Sequence, residues 1–257
     1  PGVAGLRTGL AEAGNGVVIF DTEGGYTTLH GATDSKVMRA SLAARGLTPR
    51  GVKRSRVYTL AGTKPSNPRH PDSRSFKLAF SELSIHTLID LLDLPEAQQR
   101  RILEAYEVCK VLMEVLRIYP VTPDEQREAL EHDEYDAGWA KMTLAMLFDV
   151  IEAVLAYVRA PSDRKRSRAK KDDDEDDEAP SRPEFTLRSR EFQGHAAELW
   201  QVITRRQVEK NEPSWKGILG KLWRLRRADV FSEREAEWIR VEDVLQPGLV
   251  SVIDLGD

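Results

Sequence analysis

The sequence predicts an α/β protein in which strands of a parallel sheet flank a large all-helical insertion. Two observations predict this class. Residues 17–20 are all apolar and lead into Asp21, which is typical of a strand buried on both faces in a sheet covered by helices. From Ser81 onward the hydrophobic period changes from about 2 to about 3.6, the change from strand to helix, before a strand-like run returns at 250–253.

Three further elements are predicted for the α/β part. Apolar residues at helical spacing predict a helix over 3–13, and Gly14 provides its C-cap. Additional strands are predicted at 56–60 and, from alternation, at 76–80. The intervening residues are rich in Pro, Ser, Asn and Arg, which indicates a long loop.

Apolar stripes at helical spacing predict a bundle of five to six helices in the middle of the chain. The stripes begin, in chain order, at Ile85, Ile102, Trp139, Phe192 and Trp215, and Pro123 opens a shorter, acidic helix. The predicted divisions are 1–80 for the α/β core, 81–160 and 184–245 for the two parts of the helical insertion, 161–183 for a charged linker, and 246–257 for the return strand of the core.

The predicted linker interrupts the helical pattern with charge. Six of the eight residues at 164–171 are basic, and all seven at 172–178 are acidic. Such runs cannot contribute to a packed core, so we expect a solvated, disordered spacer. The alternative is a basic arm that contacts DNA and is restrained by the acidic block.

Composition excludes several classes of protein. The 38 basic residues against 42 acidic ones, a net charge of -4, exclude a uniformly basic nucleic-acid-binding protein but leave a local basic face open. The single cysteine, Cys109, excludes an internal disulfide and a cysteine-based zinc site, and the histidines show no ligand spacing. No stretch approaches about 18 apolar residues and no signal peptide is visible, so we predict a cytoplasmic protein without a membrane span.

The ends of the chain also carry a prediction. The first residue is Pro1 rather than Met, at the start of an apolar helical pattern, and the last residues follow directly on a strand-like run. Because a domain rarely stops one or two residues after a core strand, we expect this sequence to be a fragment of a longer chain.

The sharpest motif is Asp-Thr-Glu-Gly-Gly-Tyr at residues 21–26. It follows a predicted buried strand, and ligands of open α/β sheets bind at the carboxyl ends of strands. Carboxylates such as Asp21 and Glu23 can orient a magnesium-bound water or a phosphate-site side chain there. Adjacent glycines, Gly24 and Gly25, allow a sharp turn or a close approach to a ligand. The alternative is an ordinary strand-to-loop turn with surface acids.

This motif resembles the HerA-type ATPases of the HerA–FtsK superfamily of P-loop DNA translocases. Their signature is acid-x-x-Gly-acid-aromatic, and here Gly25 stands where the second acid is usual. Residues 80–84, 94–99 and 245–254 are similar to later family stretches, in the same order. The resemblance implies a partial RecA-like P-loop NTPase core with an all-helical insertion.

The same resemblance implies a function and its partners. It implies a hexameric ring that uses ATP and Mg²⁺ to pump double-stranded DNA, often with a nuclease partner. Asp21 and Glu23 would be catalytic, and Gly24, Gly25 and Tyr26 would contact the nucleotide. The phosphate-binding loop Gly-x-x-x-x-Gly-Lys-Ser/Thr is absent from the 257 residues, so no ATP hydrolysis is expected from this sequence alone.

Other interpretations stay open at this point. A conjugation-type ATPase of the same superfamily would pump single strands or protein. A non-catalytic helical interaction module would bind a partner through the bundle. An arginine acting across a subunit interface is also expected of such a ring, and the sequence does not choose among Arg100, Arg101, Arg205 and Arg206.

A basic helical face is the second candidate site. Apolar residues at 215, 218, 222 and 225 predict one side of a helix, and basic residues occupy the other. Such a stripe can neutralise the phosphates of a nucleic-acid backbone without reading its sequence. The alternative is an amphipathic helix whose basic side faces water. The predicted contacts are Lys216, Lys221, Arg224 and Arg227.

Overall fold

The computed structural model describes residues 14–160 and 185–256. The predicted helix at 3–13 and the whole of the predicted linker at 161–183 lie outside these ranges. The chain divides into two compact units, an α/β unit of Pro1–Leu78 with Asp229–Asp257 and a helical unit of Ala79–Ala228. Across the two described ranges, no helix combines the length and the apolar character needed to cross a membrane.

The secondary structure follows the predicted change from strands to helices and back. In chain order the elements are β1 (Val17–Asp21), α1 (Lys36–Ala43), β2 (Ser55–Leu60), β3 (Ser73–Phe76), α2 (Ile85–Leu91), α3 (Glu96–Val115), α4 (Pro123–Glu131), α5 (Leu144–Arg159), α6 (Ala196–Arg206), α7 (Glu212–Ala228), α8 (Val241–Val244) and β4 (Val250–Asp254). Short 3-10 turns lie at Phe80–Glu82 and Glu235–Glu237.

The α/β unit is built on a four-stranded sheet in the order β1-β4-β2-β3. Every neighbouring pair is parallel, which confirms the predicted α/β class and the parallel sheet. The last strand of the sequence therefore lies between the first and the second. Its register places Asp254 opposite Asp21 on one side and opposite Thr59 on the other.

The two faces of this sheet are buried to different extents. One face packs in a cluster with Ile19, Val57 and Val252, and the opposite face packs with Tyr58 and Ile253 among others. The predicted burial of β1 on both faces is wrong at Phe20, whose side chain is 73% exposed.

The third strand lies earlier than predicted. The sequence alternation favoured 76–80, but the hydrogen-bonded ladder with β2 runs over Ser73–Phe76. Beyond it, Lys77 and Leu78 form isolated bridges with Trp238 and Phe231 instead. These bridges bring the segment after α7 into the α/β unit, so the helical unit ends at Ala228 rather than at the predicted 245.

Six helices of the helical unit lie within the described residues, and α3, α5, α6 and α7 pack against one another. The predicted stripes on α2, α3 and α7 are buried as expected for amphipathic helices. Two stripes begin before their helices, because Trp139 and Phe192 are buried residues that precede α5 and α6. Cys109 is a buried free thiol on α3, and burial raises its pKa.

One ionisable group lies inside the helical core. Asp149 on α5 has no exposed surface, and its carboxylate accepts hydrogen bonds from the backbone N–H of Arg188 at 2.7 Å and of Ser189 at 2.8 Å. The Ser189 hydroxyl donates a third bond at 2.5 Å. Burial raises the pKa of Asp149, although these hydrogen bonds act in the opposite direction. The carboxylate thus attaches residues 188–189 to α5.

Candidate functional site

Two buried carboxylates lie side by side at the carboxyl end of the sheet. Asp21 ends β1 and Asp254 ends β4, the two residues are in register, and each is only 2% exposed. Side chains on a strand alternate between faces, so both carboxylates belong to the face that carries Ile19 and Val252. This edge is where parallel α/β sheets bind ligands.

The Asp21 carboxylate organises the loop that follows β1. Its Oδ2 accepts the backbone N–H of Tyr26 at 2.7 Å, and its Oδ1 lies 3.4 Å from the N–H of Glu23. The tyrosine packs against the hydrophobic cluster on the same face of the sheet. Glu23 and Gly25 are exposed at the rim. The motif is therefore a hydrogen-bonded turn that leaves one acid in front of the sheet edge.

The Asp254 carboxylate holds a different loop. Its Oδ2 accepts the backbone N–H of Ser66 and its Oδ1 accepts the Ser66 hydroxyl, both at 2.7 Å. Gly256 adds a weaker N–H bond at 3.2 Å. Ser66 belongs to the connection between β2 and β3, so this one carboxylate joins that connection to the end of β4.

Two glycines make room for Ser66. A Cβ at Gly24 or at Gly256 would lie 2.6 Å from its hydroxyl oxygen, closer than real side chains approach. Gly24 also has φ +71, in the region that favours glycine. The loops after β1, β2 and β4 therefore converge on one serine, and Asn67 strengthens the junction by donating its Nδ2 to the Thr27 carbonyl at 2.9 Å.

Thr59 is a third polar side chain, in line with Asp21 and Asp254 across the neighbouring strands. Thr59 on β2 is in register with Asp254, and its buried Oγ1 has no hydrogen-bond partner within the described residues. Over residues 14–160 and 185–256, neither Asp21 nor Asp254 forms an ion pair with a lysine or arginine. Carboxylate and hydroxyl oxygens that have no lysine or arginine beside them favour the binding of a cation or of a metal-bound water.

The donor set suits Mg²⁺ carried by a phosphate rather than a metal held by protein alone. In the part of the chain that the structure describes, no group of three or more His, Cys, Asp and Glu side chains could hold a metal ion. Mg²⁺ in nucleotide sites is bound through one or two carboxylates together with phosphates and water. Asp21, Asp254 and Thr59 are the residues of this edge that could serve there, and the two carboxylates would have to exchange hydrogen bonds to the loops for the metal.

The sequence predicted Asp21 at this edge of the sheet but not Asp254. Asp21 was identified because it ends an apolar run. Asp254 ends an equally apolar run, which was the available signal for a second carboxylate. Thr59 and Ser66 carry no local signal, because their relation to Asp254 exists only through strand pairing and a contact across 188 residues.

The basic residues on α7 lie in the helical unit, and their environments differ. Lys216 pairs with Glu212 at 2.9 Å, and the Lys221 ammonium donates to the Asp93 carbonyl. Arg224 and Arg227 are exposed. The amphipathic pattern predicted for the helix is confirmed, since Trp215, Ile218 and Leu222 are buried on its other side.

Three of the four arginines considered for a role across a subunit interface form ion pairs within the chain. Arg101 is buried and pairs with Glu104 and Glu209. Arg100 pairs with Glu96 at 3.2 Å and Arg206 with Glu107 at 3.6 Å. A role in another subunit's site would require these pairs to open.

Two histidines, the buried His70 and the half-buried His30, are in contact in the α/β unit. The rings of His30 and His70 are 4.5 Å apart in an edge-to-face arrangement. His70 Nδ1 lies 2.9 Å from the Asp72 carbonyl, and its Nε2 lies 3.2 Å from the Ser55 hydroxyl. Burial, and secondarily the neighbouring His30, lower the pKa of His70, while its bond to Asp72 opposes them.

Acidification is expected to destabilise the α/β unit through His70. Because the folded pKa is lowered, the unfolded chain binds the proton more readily, so stability is full above about pH 6.5 and declines as the pH falls toward the folded pKa. The midpoint of urea unfolding should fall between about pH 7.5 and about pH 5.5, and His70→Gln should reduce that fall. His86→Gln, in the helical unit, is the control. An unchanged fall in His70→Gln would contradict the prediction.

Comparisons of the chain with protein-family models, with curated proteins and with solved structures found no match. The functional argument therefore rests on the geometry of the sheet edge and on the motifs quoted above.

Proposed function

We propose that the α/β unit contributes part of the nucleotide site of an ATP-dependent DNA translocase similar to HerA. The observation that carries the proposal is the pair of buried carboxylates, Asp21 and Asp254, at the carboxyl edge of an all-parallel sheet. On this proposal the sheet is part of a RecA-like P-loop core. The assembly is a homo-hexamer that pumps double-stranded DNA, with a nuclease as a possible partner of the ring.

The residues of the edge have separate tasks in this proposal. Mg²⁺, bound with ATP, supplies charge neutralisation for phosphoryl transfer. Asp21 fixes the turn of residues 21–26 through its bond to the Tyr26 N–H. That turn presents the exposed Glu23 carboxylate in front of the edge, where it can accept a proton from an attacking water. Asp254 holds the Ser66 loop at the same edge through bonds to its backbone N–H and its hydroxyl.

DNA contact belongs to the same proposal at a different place. Of the four basic residues predicted on α7, Lys216 pairs with Glu212 and Lys221 donates to the Asp93 carbonyl. Arg224 and Arg227, in contrast, are exposed, so these two are the best suited to meet backbone phosphates. A conjugation-type ATPase would use the same sheet edge. It would differ in pumping single strands or protein. Measuring translocation on double-stranded DNA, on single-stranded DNA and on protein would distinguish the two.

The test is DNA-stimulated ATP hydrolysis by the full-length protein with its phosphate-binding loop. Glu23→Ala removes an exposed side chain, so a fall in kcat of about tenfold or more would report chemistry rather than folding. Asp21→Asn keeps an oxygen for the Tyr26 N–H but removes the negative charge that would help hold Mg²⁺, so its kcat should fall similarly. Asp34→Ala, an exposed acid in the same unit, is the control. Wild-type rates in both Glu23→Ala and Asp21→Asn would overturn the proposal.

A further inference from the structure

The helical unit contains an open groove between α3 and α4. Its volume is about 470 Å³. Five of its nine lining residues are apolar, and two are glutamates. The lining residues are Glu107, Lys110, Val111, Glu114, Pro120, Gln126, Ala129, Leu130 and Trp139.

Helix α4 contributes two apolar residues, Ala129 and Leu130, to the lining of the groove. None of its nine residues, all within the described ranges, is buried. Leu130 lines the groove and is 87% exposed. The helix is held instead by polar contacts, a capping box at Thr122 and an ion pair of 2.7 Å between Glu125 and Lys141. A large exposed apolar side chain beside an open groove gives the apolar side chains of a partner a place to pack.

The groove has an acidic surround. Helix α4 carries four acids and one arginine, and Glu107 and Glu114 line the opposite wall on α3. The one lysine in the lining, Lys110, is occupied, because it pairs with Glu107 at 3.0 Å and Glu134 at 2.6 Å. Its ammonium also lies 4.4 Å from the centre of the Trp139 ring.

Lysine 110 therefore does not reverse the charge of the site. Burial lowers the pKa of Lys110, but the hydrogen bonds to Glu134 and Glu107 outweigh it and raise the pKa above its ordinary value. The ammonium stays charged, and two carboxylates balance it. A partner would therefore meet the apolar residues of the groove with acidic residues on α3 and α4 on either side of them.

We infer that this groove binds a basic amphipathic helix of a partner protein. The apolar residues of such a helix, spaced three and four positions apart, would contact Leu130, Ala129 and Val111, as in other helix-in-groove complexes. Its lysines and arginines would meet Glu114 and the acids of α4, since Glu107 already pairs with Lys110 and Arg206. Nucleic acid does not fit, because its phosphates would face acidic rims.

The basic helix of a second copy of this chain does not fit either. Helix α7 has the right charge, but its apolar positions, Trp215, Ile218 and Leu222, are already buried in its own core. The partner is therefore a different protein. This inference does not depend on the proposed ATP site, since the groove lies wholly in the helical unit, and either can fail without the other.

The test is fluorescence anisotropy with a labelled synthetic helix of leucine and lysine at amphipathic spacing. Wild-type protein should bind this peptide more tightly than a scrambled peptide of the same composition and should not bind a leucine–glutamate version. Leu130→Asp should weaken binding by about tenfold or more. Because Leu130 is exposed, this change leaves the fold intact. Leu91→Asp, at an exposed leucine on α2 outside the groove, is the matched control and should bind as the wild type does.

Two results would overturn the inference. Equal binding of the amphipathic and scrambled peptides would show attraction by charge alone. Equal affinity in Leu130→Asp and wild type would place the peptide elsewhere on the protein. Glu114→Lys adds a check on the rim, since it should weaken binding at low salt and lose most of this effect at high salt.

Discussion

Asp149→Ala is expected to destabilise the helical unit by about 3 kcal/mol or more. The substitution leaves the backbone N–H groups of Arg188 and Ser189 without an acceptor in a fully buried place, together with the Ser189 hydroxyl. Each buried donor that loses its partner costs about 1–3 kcal/mol. The fall is measured as the change in the free energy of urea unfolding.

Matched variants separate the buried hydrogen bonds from the loss of a charge. Asp149→Asn keeps one carbonyl oxygen and places an amide where the second acceptor was, so its effect should be intermediate. Asp90→Ala removes an exposed acid from α2 and should stay within about 0.5 kcal/mol. A change of less than about 1 kcal/mol in Asp149→Ala would mean that residues 188–189 are not attached through this carboxylate.

Asp254→Ala is expected to have the second large effect, about 2 kcal/mol on the α/β unit. Two backbone N–H groups, those of Ser66 and Gly256, and the Ser66 hydroxyl lose their acceptor at the sheet edge. Asp254 is 2% exposed, but Ser66 is exposed and Gly256 is half-buried, so water replaces the carboxylate in part and the loss stays below that of Asp149→Ala. Urea unfolding followed by circular dichroism reports the change.

A double-mutant cycle makes this prediction specific to the junction at Ser66. Ser66→Ala removes only the hydroxyl bond, and combined with Asp254→Ala it should add little, giving a coupling energy of about 1 kcal/mol. Asp34→Ala is the exposed control. Strict additivity of the two changes would contradict a direct Asp254–Ser66 contact.

The sequence predicted the elements whose buried residues form a recognisable pattern within the segment itself. Strands β1 and β4 are apolar runs, and α7 shows its stripe at every turn, so periodicity alone located them. Strand β3 was misplaced because its residues 73–75 are exposed and polar. Its position is set by hydrogen bonds to β2, and pairing of this kind leaves no trace in the composition of the segment.

The same distinction explains the candidate site. Asp21 was predicted because the carboxyl end of a buried strand is recognisable from one segment. The row it forms with Asp254 and Thr59 depends on strand order, and the order β1-β4-β2 joins segments more than 190 residues apart in sequence. The exposure of Phe20 was missed for the same reason, because it depends on which elements cover the sheet.

The position of β4 has a consequence for synthesis on the ribosome. Of the four strands described it is the last to emerge, yet it occupies the place between β1 and β2. Until it arrives, β1 and β2 have no common neighbour, while the intervening helical segment can already fold, since domains form as units during translation. Termination before residue 250 would therefore leave β1 without its partner strand and one edge of β2 open, a product that chaperones and proteases would have to remove.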